Sequence, residues 1–98
     1  MSAQTIQQQA FYEQDAAAPL LSSLKKGESG VVSGLVHCEA ADQLAIKIRL
    51  LELGFAAGET VRVVAESFPR RDPMAVRLGN TTFALRRHEA ALIQLERD

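Results

Sequence analysis

RLLELGF at residues 49–55 and AAGETVRV at residues 56–63 form the stretch that decides the fold of this chain. The pattern predicts the last turns of a helix, a glycine that ends it, a short turn and a strand. Gly54 occupies the position where a left-handed residue is needed, because a side chain with a Cβ is strained there. Phe55 and Leu50 can then make the apolar contact that closes such a helix end. Alternation follows, with Val61 and Val63 on one face of a strand.

Upstream of this stretch, the pattern predicts a strand from Gly30 to Cys38 and a helix from Gln43 to Leu53, with Asp42 as its N-cap. Gly34 interrupts the strand, and an isolated glycine there suggests a bulge or a barrel corner. The apolar stripe of the helix is wide, so we expect the helix to be mostly covered. The stripe has one row of Leu44, Ile48 and Leu51 and a neighbouring row of Ile46, Leu50 and Leu53.

Downstream, Gly79-Asn80 predicts a two-residue hairpin turn, which fixes the register of the strands on either side. A short turn over residues 87–91 then leads to a last strand from Leu92 to Glu96. The predicted fold is mainly β, with about five short strands and one inserted helix, closed into a small SH3-like barrel. The predicted hairpin pairs are Leu78–Thr81, Val76–Phe83 and Met74–Leu85 on one face, and Arg77–Thr82 and Ala75–Ala84 on the other.

Length and composition predict a single domain in a reducing compartment. The chain has 98 residues and one cysteine, which excludes an internal disulfide. It has no apolar run long enough to cross a bilayer and no signal peptide, so we expect a soluble cytoplasmic protein. Residues 1–19 are rich in glutamine and are predicted to be a flexible polar tail, while residues 20–98 form the barrel domain.

Three blocks of this sequence resemble the FeoA family of small ferrous-iron transport proteins. They are LKKGESGVV at residues 24–32, RLLELGFAAGETVRV at residues 49–63, and FALRRHEA at residues 83–90. The resemblance implies the same SH3-like barrel. It also implies a cytoplasmic accessory or regulatory protein of bacterial ferrous iron uptake, whose partner is FeoB, a membrane permease with a GTPase-like domain. Membrane association would then be peripheral and through that partner alone.

Two other functions stay open at this point. A similar barrel forms a domain of some iron-dependent repressors, so the chain could be a regulator-associated module that acts on a separate transcription factor. The third hypothesis is a small metal-binding carrier. Weak self-association also stays open.

Charge argues against nucleic acid as a partner, because the net charge is −1. The charges are unevenly distributed along the chain. Residues from Thr60 onward include seven arginines and five acidic residues, whereas the earlier residues include four basic and seven acidic ones. Arg70, Arg71, Arg77 and Arg86 form either a solvated surface or a basic patch that docks on an acidic protein surface or near lipid head groups. The residues predicted to bind a partner, with simple solvation as the alternative, are Lys47, Arg49, Glu52, Arg70 and Arg71.

The sequence offers only weak candidates for a metal site and none for catalysis. His37, Glu39 and His88 could ligate a metal, but no ligand motif with the spacing of a metal site is present. Any divalent ion bound there would be adventitious, and no cofactor is predicted. Cys38 lies among apolar neighbours of a predicted strand, where a thiol is inert. We therefore expect a protein that is not an enzyme.

Overall fold

Five antiparallel strands form one sheet in the computed structural model, which describes residues 18–37 and 40–97. The first and last strands of the sheet pair with each other, as the predicted closure into a barrel requires. Most of the predicted tail, and also Cys38, Glu39 and Asp98, lie outside the described residues. The strands are β1 (Ser29–Leu35), β2 (Thr60–Glu66), β3 (Met74–Leu78), β4 (Thr81–Leu85) and β5 (Ile93–Leu95); the helices are α1 (Ala41–Leu53) and α2 (Arg87–Ala90), with a 3-10 turn at Leu21–Ser23. The order across the sheet is β4-β3-β2-β1-β5.

The predicted first strand is too long at its C-terminal end. β1 stops at Leu35, which pairs with Ile93, the first residue of β5. Beyond that pair β1 has no partner strand in β5, because the residues before Ile93 form the turn that follows α2. One further hydrogen bond joins the Val36 N–H to the Leu92 carbonyl (2.7 Å). The predicted bulge is confirmed, since the β1–β5 register shifts between Val32 and Gly34.

The hairpin β3–β4 has the predicted register at all five pairs. Gly79 adopts a φ of 61°, whereas Asn80 keeps a negative φ. A glycine with positive φ in the first turn position suits the right-handed twist of the two strands. The inner face of β3 is buried, with Met74, Val76 and Leu78 each at most 8% exposed.

Helix α1 begins two residues earlier than predicted, with Ala40 rather than Asp42 as its N-cap. The carbonyl of Ala40 accepts the first helical bond, from the Leu44 N–H (2.9 Å). Asp42 lies inside the first turn, where its carboxylate accepts the Gln43 N–H (2.9 Å) and interacts favourably with the helix dipole. An acidic residue can therefore stabilise this end of the helix without being the cap.

The C-terminal end of α1 confirms the predicted helix end at Gly54, and we call the connection from α1 through Gly54 and Phe55 the corner. Gly54 is left-handed, with φ 112° and ψ 7°. Its N–H donates to the Leu51 carbonyl (3.0 Å), and the Phe55 N–H donates to the Leu50 carbonyl (3.0 Å). This pair of bonds is the Schellman arrangement, which satisfies carbonyls that the helix leaves without partners.

The corner delivers Phe55 into the core. Phe55 is fully buried, and its ring meets that of Phe83 at a centroid distance of 5.5 Å and a tilt of 58°. Such a tilted pair adds to the stabilisation from burial alone. Aliphatic side chains from the strands, from α1, from α2 and the segment after it, and from the 3-10 turn supply the rest: Leu21, Val32, Leu50, Val61, Val63, Met74, Val76, Leu78, Leu85, Ala90, Leu92, Ile93 and Leu95.

Substitution at Gly54 should destabilise the domain more than the same substitution at Gly58. Both glycines have positive φ (112° and 95°), so valine at either position is strained by about 1–3 kcal/mol. A Cβ at Gly54 would also lie 3.2 Å from Leu78 Cδ2, whereas one at Gly58 meets nothing within 4 Å. We expect Gly54→Val to lose about 1 kcal/mol more than Gly58→Val in urea unfolding. Equal losses would mean that Leu78 moves aside freely.

Candidate docking surfaces

Helix α1 has two apolar rows, and only one of them packs on the sheet. Leu50 is 2% exposed, and Ile46 and Leu53 pack partly buried against the core. The row of Leu44, Ile48 and Leu51 is exposed by 42, 57 and 51%. At 100° per residue these three lie on the side of α1 turned away from the core. The prediction that α1 is mostly covered is therefore wrong, because the barrel reaches one row only. We call Leu44, Ile48 and Leu51 the outer row of α1.

Two of the three predicted partner-binding residues of α1 flank the outer row. Lys47 is half-buried, and Arg49 and Glu52 are exposed. On the helical wheel Lys47 and Glu52 border the outer row on opposite sides, while Arg49 lies nearer the packed face. The surface is thus an apolar strip with one charge of each sign along its edges.

Arg49 also has a structural contact within the chain. Its Nη1 lies 3.2 Å from Oε2 of Glu89, and the two side chains are 62% and 12% exposed. The other carboxylate oxygen, Oε1, accepts the backbone N–H of Arg86 (2.8 Å), just before α2. Glu89 therefore stabilises the start of α2 and ties α1 to it, so Arg49 is not a freely solvated group.

The loop between β2 and β3 separates its two predicted binding residues. Arg70 is exposed, whereas Arg71 turns back: its Nε donates to Oε2 of Glu66 (3.1 Å) and its Nη2 to the Leu24 carbonyl (3.5 Å). Arg71 is also in a left-handed conformation, with φ 61°. Beside Arg70, the ring of Phe68 is 96% exposed. Phe68 and Arg70, rather than Arg71, form the outward surface of this loop.

A basic groove lies on the outer face of the sheet, and of its residues the sequence analysis placed only Arg77 in a candidate basic patch. Arg62 of β2 stands directly opposite Arg77 of β3. Two adjoining cavities of about 450 and 230 Å³ both have these two arginines in their walls, and Lys26 lines the larger one. We call Lys26, Arg62 and Arg77 the basic groove. Alternation with Val61 and Val63 placed Arg62 outward, but pairing it with Arg77 required the register across the β2–β3 loop.

The metal-ligand candidates do not come together. His37 and His88 are exposed, and Glu39 is outside the described residues. Among residues 18–37 and 40–97, no group of three or more His, Cys, Asp or Glu side chains could hold a metal ion.

A family model described as the FeoA domain matches residues 20–97. The chain belongs to the FeoA family. A curated relative from Porphyromonas gingivalis, named Fe(2+) transport protein A/Fe(2+) transporter FeoB fusion protein, is 37% identical over 76 residues. That alignment takes in 78% of this chain but only 8% of the relative, so the chain spans less than a tenth of the relative's length.

Solved structures confirm the SH3-like barrel for this FeoA-family chain. FeoA from Stenotrophomonas maltophilia, described as a prokaryotic SH3 domain protein complexed with zinc, is 42% identical with a TM-score of 0.71. The match covers 81% of this chain and 91% of that one. A manganese-dependent transcriptional repressor matches 81% of this chain and 41% of its own, with a TM-score of 0.64 but 19% identity. That second likeness concerns the fold alone.

Membrane-spanning helices are absent from the part of this FeoA-family chain that the structure describes. Neither α1 nor α2 has the length and apolar character needed to cross a bilayer.

Substitutions at Arg49 and Glu89 should have unequal effects on stability. Arg49 is mostly exposed, so Arg49→Ala should cost about 0.2–1 kcal/mol. Glu89→Ala also leaves the Arg86 N–H without its acceptor, so we expect a loss of about 1–3 kcal/mol. Urea unfolding of both single variants and the double variant gives the coupling energy. Arg97→Ala, at another exposed arginine, is the control and should be near neutral. A larger loss for Arg49→Ala than for Glu89→Ala would contradict this assignment.

Ferrous iron should bind only weakly to this chain. With no cluster of three ligands in the described ranges, anaerobic calorimetry with Fe(II) should give no stoichiometric site tighter than about micromolar. His37→Ala and His88→Ala serve as matched variants, and each should leave the titration unchanged. A tight site that one of them abolishes would refute this prediction.

Proposed function

We propose that this chain is an accessory protein of bacterial ferrous iron uptake that docks on a FeoB-type membrane permease from the cytoplasmic side. In this proposal the docking surface is the outer row of α1, and the chain acts by binding rather than by catalysis or by carrying iron. The observation that carries the proposal is the exposure of Leu44, Ile48 and Leu51 on a helix whose opposite side is packed in the core.

The chemistry of the outer row suits a protein partner. Leucine and isoleucine exposed side by side lose water only when another surface covers them, and this burial is the main favourable term in protein association. Lys47 and Glu52 at the edges supply the polar rim that surrounds the apolar centre of such interfaces. A rim of this kind contributes more to orientation and to the choice of partner than to affinity.

The choice of a FeoB-type permease as partner is supported by the fused relative. Its name joins Fe(2+) transport protein A to the transporter FeoB in one chain, and this chain aligns with part of it at 37% identity. Domains joined in one chain often work together, because the linker keeps each at a high effective concentration for the other. The proposed location at the inner face of the membrane follows from the partner.

Ile48→Asp should weaken binding to the permease without unfolding the domain. The substitution places a charge in the middle of the outer row, where docking would bury it without a partner. We expect at least about a thirtyfold weaker affinity, as for other central interface residues. Ile48 is 57% exposed in the free domain, so the thermal midpoint should change little. Affinity would be measured by biolayer interferometry with detergent-solubilised FeoB-type permease, and function by complementation of ferrous iron uptake.

Two further variants locate the surface. Ala57→Asp adds the same charge at an exposed turn and should bind like the parent. Phe68→Asp combined with Arg70→Glu tests the β2–β3 loop as the rival surface. Loss of binding with the loop variant alone would reject the outer row of α1 as the docking surface. Unimpaired binding and uptake with both sets would reject the two surfaces together.

A further inference from the structure

The basic groove opposes folding rather than supporting it. Arg62 and Arg77 are cross-strand partners, and like charges directly opposite each other in a sheet are destabilising. Both side chains are exposed on the face opposite Val61, Val63, Val76 and Leu78, so they take no part in the core. A surface that needed only solubility would be served better by one arginine and one acid at this pair.

No carboxylate of the described chain balances this charge. Within residues 18–37 and 40–97, the Arg62 side chain makes no hydrogen bond or ion pair, and the Arg77 side chain makes one bond, from its Nε to the Gly79 carbonyl (3.4 Å). The nearest acid in sequence to Lys26 is Glu28, whose Oε1 is held by the Lys25 N–H (2.7 Å). Neither cavity of the groove has an acidic residue in its walls.

Across the sheet, residues with hydroxyl groups stand on both sides of the two arginines. Ser29 of β1 stands opposite Arg62, and Thr82 of β4 stands opposite Arg77. The outer face therefore presents donors across four neighbouring strands. Along the strands, the groove walls run from Thr60 to Val64, a length of about 13 Å at roughly 3.3 Å per residue. This length corresponds to about four residues of an extended peptide.

We infer that the basic groove binds an acidic segment of a partner protein, with the carboxylates of that segment placed between Arg62, Arg77 and Lys26. Guanidinium groups bind carboxylates through two parallel hydrogen bonds, and two arginines on adjacent strands present two such forks side by side. The partner's negative charge removes the repulsion between the arginines. This inference concerns a different face from the outer row of α1 and does not rest on the proposed function.

The surroundings of the groove disfavour other anionic ligands. A membrane surface would engage apolar side chains beside the charges, but the large exposed apolar residues are Leu44, Ile48, Leu51 and Phe68, and none lines the groove. Single-stranded nucleic acid is bound with the help of aromatic rings, and the groove walls contain none. An extended acidic peptide needs only what is present, namely cations, hydroxyl groups and an elongated shape.

Fluorescence anisotropy with a short glutamate-rich peptide tests the inference directly. At low salt the parent protein should bind the labelled peptide at least about tenfold more tightly than its glutamine counterpart, and added NaCl should reduce that difference. Arg62→Gln combined with Arg77→Gln should bind both peptides equally. The matched control, Arg86→Gln combined with Arg97→Gln, removes the same charge from exposed arginines outside the groove and should bind like the parent.

A stability measurement separates a folding defect from a binding defect. Relief of the repulsion should leave Arg77→Gln with a thermal midpoint equal to or above that of the parent at low salt. The parent should gain stability on addition of the glutamate-rich peptide, and the double groove variant should not.

Three results would overturn the inference. The first is equal affinity of the parent for the glutamate and glutamine peptides. The second is undiminished glutamate-peptide binding by the double groove variant. The third is tighter binding of inorganic phosphate or of phosphatidylglycerol vesicles through the same arginines, which would make phosphate rather than carboxylate the ligand.

Discussion

The hydrogen bond from the Phe55 N–H to the Leu50 carbonyl is the constraint on which the rest of the structure depends. It forms because Gly54 turns left-handed at no steric cost, and it sets where α1 ends and in which direction the chain leaves. That direction brings Phe55 into the core against Phe83 of β4 and starts β2 with Val61 facing inward. Helix and sheet are thereby joined in one fixed orientation.

The orientation of α1 decides which of its residues are available to a partner. Because the corner places Leu50 in the core, the helical period places Leu44, Ile48 and Leu51 on the side of α1 that faces away from the sheet. The ion pair between Arg49 and Glu89 holds α1 at a second point, in the C-terminal half of the helix. Glu89 also accepts a hydrogen bond from the Arg86 N–H at the start of α2. The outer row is thus presented on a helix fixed at two points, which lowers the entropy lost on docking.

Local patterns predicted most of the fold because each is decided within a few residues. The glycine at position 54 and the hairpin turn at Gly79 depend only on neighbouring backbone, and both were predicted with the right register or geometry. Three features depend on contacts far apart in sequence, and sequence patterns do not encode those: the early end of β1, the uncovered row of α1, and the pairing of Arg62 with Arg77. The last requires the register across residues 67–73, and a bulge between Val63 and Ala65 shifts it.

On two surfaces of this domain the residue types differ from those that local propensity, packing and charge would favour. Ile48 at 57% exposure contributes little to the core, and a polar residue there would make α1 no less stable and more soluble. Arg62 opposite Arg77 works against the sheet that holds them. Elsewhere local propensity, packing and charge agree. Departures from such agreement are expected at functional sites, where the requirements of binding compete with those of folding. The outer row of α1 and the basic groove are therefore better explained by binding than by the architecture of the barrel.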